Sequence, residues 1–147
     1  MRPARRQQLM VELNEADTIS LQMLYGIGPT RARRIVEYRE KLGGYREVRQ
    51  LLEVYGISAE LLGEIAPHLV IDTTDIRKID INSVTIKQLI RHPYIEYNQA
   101  RDIVRLRSKG IHFATADDLQ AVPSMADTTL KRLLPYIEFG VTGDATE

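Results

Sequence analysis

Gly26-Ile27-Gly28-Pro29, followed at once by Thr30, Arg31, Arg33 and Arg34, is the stretch of this sequence best suited to chemistry. Two glycines flank one apolar residue, so a tight turn here can pass through positive φ without a Cβ clash. Pro29 suits the first position of a helix, where its missing N–H has no partner to lose. A helix that starts at such a turn leaves backbone N–H groups unpaired. N–H groups placed in this way bind anions, phosphate above all. Arg31 and Arg34 put positive charge beside them. Gly56-Ile57-Ser58 is a weaker copy of the same turn, with Ser58 placed to cap the helix that follows.

Short helices must hold these turns. Asn14 and Asp17 are turn and N-cap residues ahead of a first helix carrying Ile19, Leu21, Met23 and Leu24. The second helix runs from about Pro29 to Lys41, with Ala32, Ile35 and Val36 as its apolar stripe. Arg33 and Glu37 are four apart on its exposed side, as are Glu37 and Lys41. Gly43-Gly44 ends it, and Tyr45 is expected to fold back onto the core. Val48, Leu51, Leu52 and Val54 form a further short helix. The next, after Ser58, carries Leu61, Leu62 and Ile65.

The chain then repeats itself. At a fixed offset of 68 and without a gap, residues 14–69 lie on 82–137. Asn14/Asn82, Leu21/Leu89, Ile27/Ile95, Ala32/Ala100, Ile35/Ile103, Arg39/Arg107 and Leu51/Leu119 are identical pairs, and Tyr45/Phe113 is conservative. Most matches are apolar positions that build a core, so both copies must share one fold.

The differences fall on the turns. Gly26 and Gly28 become Tyr94 and Glu96, Arg31 becomes Gln99 and Arg34 becomes Asp102. A glutamate at the turn repels phosphate and is better used to satisfy the free N–H groups itself. The fourth turn, Val122-Pro123-Ser124-Met125-Ala126, has also lost its glycine. Phosphate contact is therefore expected on the first copy. Charge points the other way: residues 82–137 hold eight Lys/Arg against five Asp/Glu, and residues 14–69 seven against eight. Turn chemistry carries more weight, because placed N–H groups discriminate geometry and net charge does not.

The whole chain has zero formal net charge, so any electrostatic footprint on nucleic acid must be local. It has no cysteine, hence no disulfide, thiolate nucleophile or cysteine metal site. His68, His92 and His112 lack ligand-type neighbours at metal spacing. Asp117-Asp118 is read as the start of a helix after a Thr115 cap. No nucleophile–base pair stands out, so no enzyme, metal or cofactor is expected. No apolar run is long enough to cross a bilayer, and no apolar core follows the basic start, so no membrane contact is expected of this segment. Either the protein is cytoplasmic or this chain is a piece without its export or anchor segment. Tyr94 and Tyr97 suit a protein partner or self-association, since tyrosine is favoured at interfaces, or ordinary packing at the core edge.

Asn14, Leu21, Leu24-Tyr25-Gly26-Ile27-Gly28-Pro29, Ala32, Ile35, Tyr38-Arg39, Gly44-Tyr45, Val48, Leu51-Leu52, Val54, Gly56-Ile57 and Pro67 together resemble the helix-hairpin-helix domain of ComEA-type bacterial DNA-uptake proteins. The second copy resembles the same domain with its hairpins replaced. The resemblance implies an all-α fold of two tandem helix-hairpin-helix (SAM-like) units. It also implies sequence-independent binding of double-stranded DNA by hairpin backbone N–H groups, at modest affinity, and an extracytoplasmic or membrane-tethered setting. The implied contacts are Gly26, Ile27, Gly28, Thr30, Arg31 and Arg34, with Gly56, Ile57 and Ser58 in the second hairpin. Some hairpins of this kind hold a monovalent cation on turn carbonyls. The expected layout is a basic arm over 1–11, unit 1 over 12–69, an ordered connector over 70–81, unit 2 over 82–137 and a flexible tail over 138–147. The alternative function is a non-enzymatic protein-interaction or scaffold module that has lost DNA binding.

Overall fold

The computed structural model describes residues 9–140. Most of the basic arm and most of the expected tail fall outside them. Among the described residues two units emerge: one comprises residues 9–40 and 44–76, and the other Lys41–Gly43 together with residues 77–140.

In the first unit a two-residue strand, β1 (Val11–Glu12), leads into α1 (Thr18–Leu21), the Gly26 turn and the long α2 (Pro29–Leu42). A 3₁₀ helix (Val48–Glu53), the Gly56 turn, α3 (Ala59–Ile65) and β2 (Leu69–Val70) complete it. The second unit repeats the order: β3 (Ile79–Asp80), α4 (Ile86–Ile90), α5 (Tyr97–Ser108), a 3₁₀ helix (Ala116–Ala121), α6 (Asp127–Leu133) and β4 (Ile137–Glu138). The fold is all-α, apart from these strand pieces. The strands were not anticipated. They pair in parallel, Val11 with Leu69 in the first unit and Ile79 with Ile137 in the second, and so tie each unit's entry to its exit. Pieces this short carry no period-2 signal, which is why sequence pattern misses them.

The first helix is shorter than expected. Asp17 caps it by accepting from the Ser20 N–H at 2.8 Å. Leu21 and Leu24 are buried, but Ile19 and Met23 face solvent. Asn14 does not cap. Its side chain accepts from the Tyr45 N–H at 2.7 Å and donates to the Tyr45 carbonyl at 2.9 Å and the Asp72 carbonyl at 3.0 Å. Asn82 repeats this on Phe113 at 2.9 and 2.8 Å, with Gly140 as third partner at 3.1 Å. The bridge holds the aromatic residue in place, and both Tyr45 and Phe113 are fully buried. Arg39 and Arg107 hold the chain entry as well, donating to the Ala16 and Val84 carbonyls.

Around these bridges each unit buries its own core. Leu13, Leu21, Ala32, Ile35, Leu51 and Ile65 line the first; Ile81, Leu89, Ala100, Ile103, Leu119 and Leu133 take the same positions in the second. Asn14→Ala removes one side of a two-point bond and leaves a part-buried peptide short of partners. It should lower stability by about 1–3 kcal/mol, measured by urea unfolding followed by far-UV circular dichroism. A loss below about 0.5 kcal/mol, the scale of ordinary surface substitutions, would show that the bridge is not structural.

Candidate nucleic-acid interface

All four turns have the same backbone bond. The N–H of Ile27, Ile57, Ile95 and Met125 donates to the carbonyl three residues earlier, at 3.1 Å in each case. The turns of the second unit have therefore kept this bond and changed their side chains. Gly26 needs to be glycine. Its φ is +76°, and a Cβ there would come within 2.7 Å of Leu61 Cδ1. Gly28 has open space around it and an ordinary φ.

Gly28 is the residue before α2, and its carbonyl accepts from the Ala32 N–H. It has no side chain with which to cap. Among the described residues, the N–H groups of Gly28, Thr30 and Arg31 have no backbone acceptor; Gly28 is half-buried, and Thr30 and Arg31 are exposed. The other three turns are less open. Ser58 accepts from the Leu61 N–H at 3.1 Å, and Glu60 adds negative charge in the first turn of α3. Glu96 and Gln99 form a capping box at the start of α5, with Gln99 accepting from the Glu96 N–H at 2.9 Å. Asp127 occupies the first turn of α6.

The arginines do something the sequence did not suggest. Arg31 Nε donates to the Gly56 carbonyl at 2.7 Å, and its Nη1 donates to the Gly26 carbonyl at 3.1 Å. One side chain clasps both turns of the first unit and sets them side by side. Arg34 lies 4.8 Å over the ring of Tyr55, the residue before Gly56. The Gly26 and Gly56 carbonyls already face a guanidinium, so a monovalent cation on these two oxygens would meet like charge.

The second unit has the same clasp with its polarity changed. Gln99, in place of Arg31, donates to the Ser124 carbonyl at 3.3 Å. Asp102, in place of Arg34, accepts from the Ser124 hydroxyl at 2.7 Å. Ser124 itself stands where the first unit has Gly56. Asp102 is nearly buried and is paired with Arg101 at 3.1 Å and Arg105 at 3.7 Å. The Ser124 hydrogen bond, with help from Arg101 and Arg105 and against the cost of burial, holds its carboxyl below the ordinary aspartate value of 3.8.

Tyr94 is a core residue. It is 8% exposed and packs against His92 and Tyr136, and Arg132 lies 4.1 Å over its ring. The expectation that Tyr94 could meet a partner is corrected: the aromatic cluster takes both the ring and its surface. Tyr97 is 57% exposed at the start of α5.

The helix-hairpin-helix motif matches residues 6–70 and again residues 74–138. The chain belongs to the helix-hairpin-helix family. The motif suggests a nucleic-acid-binding module and is not in itself an enzymatic one. Among curated proteins the chain is similar to endonuclease/exonuclease/phosphatase family domain-containing protein 1 of Danio rerio, at 28% identity over 86% of this chain and 26% of the relative. The protein of that name in Mus musculus is 26% identical over 86% of this chain and 27% of its own length. An uncharacterized protein of Haemophilus influenzae is 43% identical over 35% of this chain and 47% of its own. The chain thus spans about a quarter of the first two relatives. No solved structure matches.

Folding favours the ionised form of Asp102. Its contribution is complete above the unfolded-state pKa and is lost as pH falls through the lower folded-state value. Asp102→Asn should therefore destabilise the second unit at neutral pH, and the gap from wild type should narrow as pH falls from about 5 to about 3. Urea midpoints across that range test this, and a gap independent of pH would refute it.

Proposed function

We propose that the chain binds double-stranded DNA without sequence preference through the first unit. The Gly26 turn and the uncapped start of α2 would grip backbone phosphate. The observation that carries this reading is the set of N–H groups at Gly28, Thr30 and Arg31 with no backbone acceptor, beside a clasp that brings the Gly56 turn alongside. Such groups suit phosphate because they are fixed donors at the positive end of a helix. Arg31 and Arg34 serve twice in this reading: they align the turns, and they leave net positive charge on the surface the DNA approaches. Gly56, Ile57 and Ser58 form the secondary contact, weakened by the Ser58 cap and by Glu60.

The second unit would contribute little, because Glu96 occupies the place where Gly28 leaves donors open. The chain would act as a binding module with no catalysis of its own. Its role as a ComEA-type, DNA-uptake-related protein rests on the motif resemblance. The nuclease or phosphatase chemistry in the relatives' names is theirs, since the chain spans only about a quarter of them. Exposed Tyr97 favours a second reading, in which the other unit is a protein-interaction module.

With only a few phosphates neutralised, affinity for labelled duplex should be modest. Log K against log salt should fall with a slope of about −2 to −4. Gly28→Glu imitates Glu96 at a position with open space, so the variant should fold and lose most of its duplex binding by fluorescence anisotropy. Unchanged binding in the folded variant would defeat the phosphate reading. No duplex binding at low salt, together with self-association weakened by Tyr97→Ala, would favour the second.

A further inference from the structure

The first unit exposes apolar side chains around its hairpins that the second unit has replaced. Tyr25 and Tyr55 each immediately precede the glycine of a turn, and they are 73% and 80% exposed. Their counterparts at the offset of 68 are Pro93 and Pro123. Met23, also exposed, corresponds to Arg91. Burial does not account for two large rings in solvent on one unit, and the repeat shows that the fold does not require them. They occur in the unit whose turn leaves backbone N–H groups open.

Arg31 bonds to the carbonyls of both Gly26 and Gly56, so the residues just before these glycines flank one clasp. Arg34 covers one face of the Tyr55 ring and donates to the Tyr55 carbonyl at 3.5 Å. The guanidinium covers part of the ring, and Tyr55 still remains 80% exposed. A guanidinium stacked on one face of an aromatic ring, with the opposite face open and fixed phosphate donors near by, is the chemistry that takes up an unpaired base. Intact duplex offers no free base face to such a ring. Ends, gaps and open segments do.

We infer that Tyr25 and Tyr55 stack on unpaired bases, so that the first unit prefers DNA with a single-stranded opening over continuous duplex. This rests on the DNA reading above and names which DNA the same site selects. The phosphate donors of α2 hold the backbone, and the two tyrosines hold the bases beside it. Stacking is tolerant of sequence because every base has a π face.

The test uses the full chain and two fluorescein-labelled DNAs of one sequence, a continuous duplex and the same duplex with a short single-stranded gap. Wild type should bind the gapped DNA about tenfold more tightly. The exposed pair Tyr25→Ala/Tyr55→Ala should lose that preference and retain duplex binding, while Tyr25→Phe/Tyr55→Phe should retain both. A 2-aminopurine placed in the gap should be quenched on binding wild type and not on binding the alanine pair. Equal affinity of wild type for the two DNAs, or a preference that survives the alanine pair, overturns the inference and leaves the duplex reading standing. Failure of wild type to bind either DNA overturns both. Sedimentation showing that the tyrosine pair drives self-association would assign the surface to a protein contact and overturn the inference as well.

Discussion

Each unit depends on one asparagine. Asn14 and Asn82 grip the peptide of a buried aromatic residue from both sides, using the amide's donor and acceptor together. A two-point bond of this kind fixes direction as well as distance, and aspartate could not make it because an ionised carboxylate only accepts. With the aromatic residue pinned, the long helix before it is held against the chain entry. Arg39 and Arg107 reach the same entry from that helix. Once entry and long helix are fixed, the turn that joins them has little freedom left. The matching hydrogen bonds of the Ile27 and Ile95 turns fit this constraint.

Because the scaffold fixes the turns, their side chains are free to change. The clasp shows this most directly. In the first unit a cation reaches across to two carbonyls; in the second a neutral amide and a carboxylate reach a serine that offers both a carbonyl and a hydroxyl. The three positions must change together. Asp102 opposite a bare glycine would face carbonyls with its own negative charge, and an arginine at that position could not accept from the Ser124 hydroxyl. Gln99 and Asp102 therefore have a structural reason that does not depend on any loss of DNA contact.

Much of the fold was legible in sequence because its determinants are local or repeated. The turns announced themselves through glycine and proline, Ser58 through its place before a helix, and the cores through apolar matches at one offset. The misses all involve partners distant in the chain. Asn14 looked like a cap because asparagine is a good one, but its partners lie 31 and 58 residues away. Arg31 looked like a free phosphate ligand because nothing local shows that it reaches Gly56. Tyr94 suited either a partner contact or packing at the core edge, and Tyr136 and Arg132, far along the chain, decide for the core. One signal was available: Asn14 and Asn82 are identical at a position with no apolar reason to match.

The same comparison changes what the altered turns of the second unit mean. Decay would be expected to loosen packing and leave polar groups without partners. What stands at Gln99, Asp102 and Ser124 is a connected set of bonds around a nearly buried carboxylate that is kept ionised by its neighbours. Such a set is costly to assemble by drift, since a half-built version leaves a charge buried without compensation. The second unit bonds its turns inward at these positions, while the first leaves the Tyr25 and Tyr55 rings exposed beside its own turns. The two units share a fold, and the second meets the needs of its turns from within.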